Sequence, residues 1–295
     1  MNAEQSPVSV ATALARASTR LQPAHSAMLD AQVLLGHTLG RSRAELLAQH
    51  DELISPGRLA DFERAVERRC RGEPLAYIIG SREFWSLQLR VSAAVLVPRP
   101  ETELVVERCL ALLGAQSADV ADLGTGSGAI ALALARERRR WRVTATDRSA
   151  SALTVAAANA RALAIDNVRF RAGDWFDALR GQRFKLIASN PPYIAAADEA
   201  LHDPALRHEP LVALASGVTG LEDLAALIAG APAHLFEEGW LVLEHGATQA
   251  PDVADLLVAQ GFRHVRCHVD LAGLPRVTEA QRSPAASLAT QSPSS

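Results

Sequence analysis

The chain has 295 residues and only three cysteines, Cys70, Cys109 and Cys267, which lie far apart with no CxxC spacing. That excludes a disulfide framework and a cysteine zinc site, and it fits a reducing cytoplasm. There is no excess of positive charge. The formal net charge is −3 and the pI about 6.3, which argues against a protein held to nucleic acid mainly by phosphate contacts. A local basic patch stays open. Long apolar runs are missing too. The longest, Ala129 to Ala135, falls far short of the roughly 20 residues that a membrane-spanning helix needs. The N-terminus has no charged head followed by an apolar run, so no signal peptide is expected. No internal repeat is found. What the chain does have is apolar content, 48%, enough for a sizeable core and against general disorder. Its length allows one large domain or two ordinary ones.

Residues 1 to about 8 are polar and expected to be loose. From Ser9 to about Arg71, apolar residues recur at helical spacing: Val10, Leu14 and Leu21; Met28, Leu29, Val33, Leu34 and Leu35; Leu46 and Leu47; Leu59, Phe62 and Val66. These stripes predict a small helical bundle over residues 1–72, with Ser55-Pro56 opening one helix. It contains no catalytic constellation, since His25, His37 and His50 are scattered. Partner docking and a purely structural cap are both open for it. Residues 73–98 change character. Phe84–Val91 alternates like a strand, Ala94–Val97 reads as a second, and Ser92-Ala93 between them predicts a hairpin linker. The charged stretch Pro98-Arg99-Pro100-Glu101-Thr102-Glu103 follows, leading into a helix over Leu104–Leu113. Thr102 or Glu101 there is either an ordinary helix cap or part of a rigid charged loop.

From Asp119 strand and helix alternate. Strands are predicted at 119–123, 142–146, 167–171, 184–189, 240–244, 265–269 and 276–278. Helices are predicted at 128–138, 150–163, 221–234 and 252–260. This is the pattern of an α/β sheet with helices on both faces. The domain of residues 99–280 would be followed by a small, polar, disordered tail over 281–295.

Two stretches carry chemistry. Asp122-Leu123-Gly124-Thr125-Gly126-Ser127-Gly128 follows the first strand of the sheet and opens a helix. Glycines at alternate positions let the backbone turn sharply and approach a ligand, and open α/β sheets bind ligands at the carboxyl ends of their strands. Asp147, 19 residues after Gly128 at the end of the second strand, suits ribose hydroxyls. The spacing is GxGxG rather than the GxGxxG of a dinucleotide site, which disfavours a nicotinamide dehydrogenase. The second stretch is Asn190-Pro191-Pro192-Tyr193 after the fourth strand. Neither proline has a backbone N–H and both have fixed φ. Such a corner holds one amide side chain, free carbonyls and an aromatic ring in a stiff array, which suits a planar group bearing an NH2. Alone it is also an ordinary strand-to-loop turn.

Together these stretches resemble the class I S-adenosylmethionine-dependent methyltransferases, in the branch that methylates planar amino groups. Within that branch the chain resembles the peptide release factor glutamine methyltransferases of the HemK/PrmC type. The resemblance rests also on Gly72–Gly80, Arg82-Glu83-Phe84-Trp85, Pro98–Glu103, Gly173-Asp174-Trp175-Phe176, Glu209-Pro210 and Leu243-Glu244-His245-Gly246. It runs from the helical region to about Thr278 and departs after it.

The resemblance implies a Rossmann-like, mostly parallel seven-stranded sheet preceded by the helical bundle and hairpin, and S-adenosylmethionine as methyl donor. It implies a class 1 release factor as protein partner, with no direct nucleic acid contact, no membrane and a monomer by default. Gly124, Thr125, Gly126, Ser127 and Gly128 would line the methionine and ribose portions of the donor, and Asp147 the ribose hydroxyls. Asp174 and Trp175 would meet the adenine, Trp175 having core packing as its other reading. Phe84, Arg99 and Glu101 would cover the donor from the hairpin side. Asn190 would border both donor and acceptor. Asn190 Oδ1 and the Pro191 carbonyl would accept the two hydrogens of a glutamine amide held at Asn190, Pro191, Pro192 and Tyr193, with the Tyr193 ring on the amide plane. No metal is implied. The rivals are a glutamine methyltransferase of a ribosomal protein, an amino-methyltransferase of nucleic acid bases, and a non-catalytic cofactor-binding scaffold.

Overall fold

A computed structural model describes residues 7–22 and 26–284. The expectations for residues 1–6, for His25 and for the tail from residue 285 lie outside the described residues. Contacts divide the chain into two compact units: the segment up to Ser81 with Asp203–His208, and Arg82–His202 with the segment from Glu209 onward.

The first unit is helical. A two-residue strand, β1 (Val8–Ser9), leads into α1 (Val10–Arg20), and α2 (Ala27–Leu39) and α3 (Arg43–Ala48) follow. The strand β2 (Leu53–Ile54) pairs antiparallel with β1, and α4 (Pro56–Cys70) and α5 (Leu75–Ile79) complete the unit. Starts are set by local chemistry. Ser9 accepts from Thr12 N, Ser42 and Glu45 form a reciprocal capping box, and Pro56 occupies the first turn of α4, where its missing N–H is no loss. The core joins Val10 and Leu14 of α1, Leu34 and Leu35 of α2, and Phe62 and Val66 of α4. Met28 and Leu29, expected in the inward stripe of α2, are exposed. The buried stripe runs instead through Ala27 and Ala31, which let the helix approach its neighbours closely. Ile78 of α5, a helix the alternation did not reveal, joins the same core, so this unit continues to Ser81, past residue 72.

The second unit opens on the paired strands β3 (Ser81–Phe84) and β4 (Leu87–Arg90). The turn falls at Trp85-Ser86 rather than at Ser92-Ala93, and both turn residues have positive φ (50° and 57°). A two-residue hairpin demands that geometry, normally from Asn-Gly. Here tertiary bonds hold it: Trp85 N donates to Glu103 Oε1 at 2.7 Å and Trp85 Nε1 to Glu137 Oε1 at 3.0 Å. Residues 94–97 form no strand. Val97 N is taken by the Glu209 carboxylate at 2.9 Å.

The sheet and its helices follow as α6 (Glu103–Leu112), β5 (Asp119–Leu123), α7 (Ala129–Glu137), β6 (Arg142–Asp147), α8 (Ala150–Ala162), β7 (Val168–Ala172), β8 (Phe184–Ser189), α9 (Glu222–His234), β9 (Leu235–Glu244), α10 (Ala250–Ala259), β10 (Phe262–Val269) and β11 (Pro275–Arg282). The seven strands run in the order β10-β11-β9-β8-β5-β6-β7. The five from β9 to β7 are parallel, and β11 and β10 add an antiparallel edge. Alternation along β5 splits the core: Val120 faces the cluster with α6 and α7, and Ala121 and Leu123 face the cluster with α9 and α10. Ala129 to Ala135 of α7 are all buried, as expected of a helix apolar all round.

The disordered tail expected from residue 281 begins too early. Gln281 pairs with Trp240 and Arg263, and Arg282 Nη1 donates to Leu235 O. Because β11 lies between two partners, its ladder continues through a polar sequence that would end an edge strand.

Candidate active site

Strand order reverses on the two sides of β5: β6 and β7 continue one way and β8 and β9 the other. In such sheets the crevice outside the carboxyl ends at this point is where ligands bind. Register brings the motifs level there. Leu123 is paired with Ser189 on one side and Thr146 on the other, so Gly124, Asp147 and Asn190 are the next residues of three adjacent strands. The Ser189 hydroxyl ties β8 to β5 by donating to Leu123 O at 2.7 Å. A cleft of about 270 Å³ opens at this end.

The glycine loop is shaped from below. Gly124, Gly126 and Gly128 have φ of 71°, 56° and 86°, the left-handed region that L side chains avoid. At Gly124 a Cβ would stand 3.2 Å from the Trp175 ring, and at Gly128 one would meet Leu132 at 3.0 Å and Ala156 at 3.3 Å. Under the loop, fully buried Asp122 accepts from Thr125 Oγ1 at 2.6 Å and from Ala131 N at 3.1 Å. Burial, with Asp147 nearby, raises its pKa to about 7 despite those bonds. Asp147 holds the far side of the loop: Oδ2 accepts from Gly126 N at 2.9 Å and Oδ1 from Ser149 N at 2.8 Å. The residues present fit the donor. The cleft sits near the lower end of ligand-pocket volumes, its loop leaves room for backbone approach, and the carboxyl-bearing Asp147 and Asp174 both line it.

Asn190 is half-buried and lines the cleft. Its Nδ2 donates to Thr102 Oγ1 at 3.1 Å. Pro192 is buried and lines the cleft; Pro191 is buried outside the lining. The Tyr193 ring packs at the edge of the α9–α10 core, and its hydroxyl donates to Glu244 Oε1 at 3.3 Å. Burial, the Glu244 charge and that bond push the Tyr193 pKa well up. Burial also raises the Glu244 pKa to about 7, against bonds from Thr102 and Tyr193. Backbone clamps complete the corner: Gln249 Nε2 donates to Tyr193 O at 3.0 Å and to Gly220 O at 3.2 Å.

Of the expected site residues, the cleft gathers Gly124, Thr125, Gly126, Ser127, Asp147, Asp174, Trp175, Arg99, Asn190 and Pro192. Trp175 meets both of its readings. It lines the cleft, while its Nε1 donates to Asp223 Oδ1 at 3.2 Å, holding the residue at a positive φ of 39°. Arg99 is anchored by Glu209, whose carboxylate is nearly fully buried. Phe84 is not at the cleft: it is 1% exposed in the core beneath α6 and α7, because the hairpin turns seven residues earlier than the alternation implied. Glu101 is exposed and outside the lining; half-buried Tyr193 and buried Gly128 lie outside it too. Thr102, for which the sequence leaves a helix cap and a rigid charged loop both open, makes no capping bond. Glu244 had only its motif to mark it; a lone acid ending an apolar strand, Leu241-Val242-Leu243-Glu244, was the usable signal.

Comparison with known proteins agrees with this geometry. Residues 12–80 match the model of the PrmC N-terminal domain, and residues 101–207 that of the methyltransferase small domain. A Xylella fastidiosa release factor glutamine methyltransferase is 49% identical over 266 residues, covering 90% of this chain and 95% of that one. The Pseudomonas aeruginosa enzyme of the same name is 46% identical over 263 residues, 89% and 95% of the two chains. A methyltransferase structure from Pyrococcus furiosus shares the fold, with a TM-score of 0.52 at 17% identity over 67% of this chain and 90% of that one. Identity at this level, sustained across nearly the full length of both relatives, goes beyond a shared fold: the chain belongs to the release factor glutamine methyltransferase family.

Proposed function

We propose that this protein transfers a methyl group from S-adenosylmethionine to N5, the side-chain amide nitrogen, of the glutamine in the GGQ motif of class 1 peptide chain release factors, and so modulates translation termination. The observation that carries the proposal is the stiff corner at Asn190, set level with the glycine loop at the carboxyl ends of neighbouring strands. The names of the relatives supply the substrate class. The helical unit is assigned to docking the protein partner.

An amide nitrogen is a poor nucleophile, because its lone pair is delocalised into the carbonyl. When bound, S-adenosylmethionine supplies the methyl group on a sulfonium, whose charge is lost on transfer. This chain's residues do the positioning. Asn190 Oδ1 and the Pro191 carbonyl, which takes no hydrogen bond among the described residues, accept the two amide hydrogens and favour a more pyramidal nitrogen. Holding reactants in line lowers the barrier by several kcal/mol. Tyr193 serves the corner as an anchor through its hydroxyl, rather than as a face for the amide. Gly124, Thr125, Gly126, Ser127 and Asp147 hold the donor, with Asp174 and Trp175 at its base. The cleft presents no strong base; the proton leaves after transfer, when the nitrogen has become acidic.

The experiment mixes the protein with labelled S-adenosylmethionine and, in parallel, an unmodified class 1 release factor, a large-subunit ribosomal protein and duplex DNA, then maps added methyl groups by peptide mass spectrometry. One methyl on the GGQ glutamine is the expected result. Label on the ribosomal protein or on DNA would overturn the substrate while keeping the corner chemistry; no label on any of them would favour a scaffold.

A further inference from the structure

Thr102 stands at the N-cap of α6. A threonine there commonly accepts a hydrogen bond from the first helical turn, yet this side chain makes none. It is 4% exposed, and its Oγ1 accepts from Asn190 Nδ2. A hydroxyl has a single hydrogen. With the amide N–H arriving as donor, that hydrogen is left for an acceptor. Leu243 pairs with Ser189, so Glu244 stands level with Asn190 on the neighbouring strand, and its carboxyl, whose ionised form Thr102 stabilises, is the acceptor at hand. Glu244 ends β9 at 1% exposure. One of its oxygens takes the Tyr193 hydroxyl, and the other, Oε2, has no hydrogen-bond partner of its own among the described residues.

This matters because the two ends of an asparagine amide have nearly the same shape and opposite hydrogen-bonding sense. Only the partners decide which end faces where. With Nδ2 committed to Thr102, Oδ1 is the end left for a ligand. Turned over, Asn190 would offer N–H groups to the N–H groups of an acceptor amide, and binding would be repelled.

We propose that Thr102 and Glu244 are positioning residues: the buried carboxylate polarises the Thr102 hydroxyl, which accepts from Asn190 Nδ2 and so keeps Asn190 Oδ1 toward the nitrogen to be methylated. The inference rests on the reading of Asn190 as the acceptor-nitrogen site. The chain has one direction, from amide N–H to hydroxyl to carboxylate. Protonating Glu244 gives it an O–H of its own to offer Thr102, and the direction is no longer enforced. The groups facing Glu244 are Tyr193 and Thr102, with Arg276 favouring its ionised form and Glu101 opposing it. Turnover is therefore expected to fall as pH drops through neutrality.

The test compares Thr102→Val, Thr102→Ser, Glu244→Gln, Asn190→Ala and the double variant Thr102→Val/Asn190→Ala. For each, kcat and KM are measured with an unmodified class 1 release factor, and S-adenosylmethionine affinity by direct titration. Thr102→Val is expected to lower kcat about tenfold, the equivalent of one hydrogen bond used in positioning, with donor affinity unchanged. Thr102→Ser restores turnover. Thr102→Val adds nothing in the Asn190→Ala background, since it acts only through that residue. Glu244→Gln lowers kcat and removes the acid limb of its pH profile. Wild-type kcat in Thr102→Val, an additive loss in the double variant, or donor affinity falling in step with kcat would each overturn the inference. An Asn190→Ala variant with full turnover would overturn the acceptor-site reading itself, and this inference with it.

Discussion

Gly220→Ala is the substitution through which the corner can be displaced without touching a residue that meets substrate. Gly220 has φ +80°, and a Cβ there would stand 2.5 Å from Tyr193 O, 3.0 Å from Ala195 N and 3.1 Å from Gln249 Nε2. The substitution carries two costs. The left-handed backbone disfavours an L side chain by about 1–2 kcal/mol. Forcing a methyl against a backbone carbonyl adds overpacking of about 1–3 kcal/mol. Gly261 separates the two: it lies in the same unit with φ +84°, and a Cβ there would meet nothing within 4 Å, so Gly261→Ala carries the first cost alone. Gly220→Ala should therefore unfold several degrees below Gly261→Ala, at about 2–4 °C per kcal/mol for a unit of this size. The displaced carbonyl also loses its bond from Gln249, and misplacing a reacting group by an ångström costs about a hundredfold in rate. Thermal unfolding and steady-state kinetics on both variants check this. Equal melting temperatures together with full turnover in Gly220→Ala would refute the claim that this close approach sets the corner.

Two further outcomes concern the carboxylates around the glycine loop. Asp147→Ala removes the acceptor of both Gly126 N and Ser149 N; donor affinity should fall about 10–100-fold, the loss of one or two charge-assisted bonds, and an unchanged Kd by calorimetric titration would refute the assignment. Asp122 has its pKa raised from 3.8 to about 7 by burial, so between those values the folded protein binds more protons than the unfolded chain. Its contribution to stability is fully present below about pH 4 and is lost as pH rises toward 7, by a few kcal/mol at most. Asp122→Asn should flatten that slope and be relatively more stable at pH 8, as read from denaturant unfolding at a series of pH values; a pH-independent destabilisation would count against it.

Much of the fold was legible because its signals are local and repeated. Strands β5 and β8 are buried on both faces, so they read as short apolar runs closed by Gly or by Asn-Pro, and their predicted limits, 119–123 and 184–189, coincide with the observed ones. The failures share a cause: partners distant in sequence overrode local pattern. Trp85 and Ser86 carry none of the residues that favour a hairpin turn and adopt it under bonds from Glu103 and Glu137. Val95 and Val97 are buried like strand residues, but the donor at Val97 is satisfied by Glu209 rather than by a neighbouring strand. Gln281 and Arg282 look like tail and are held as strand because partners lie on both sides of β11.

The site divides along the same line, with a consequence for what a motif can reveal. Residues whose backbone does the work, such as Gly124, Gly126 and Gly128, announce themselves, since few side chains tolerate their φ values. Asn190 announces itself because two prolines stiffen the chain directly after it. Thr102 and Glu244 do not. Each is a common residue in an ordinary place, a helix start and a strand end, and becomes specific only when the sheet brings the end of β9 beside the corner after β8. What distinguishes them is an omission: a cap residue that makes no capping bond and a buried carboxylate with one oxygen unsatisfied. Keeping such a group in the core is costly, and a structure that merely needed filling there would use an apolar residue, as Leu241, Val242 and Leu243 do immediately before it. A carboxylate retained at that cost, within one hydroxyl of the residue that must present an oxygen rather than an N–H, is better explained by the orientation it enforces than by the stability it gives.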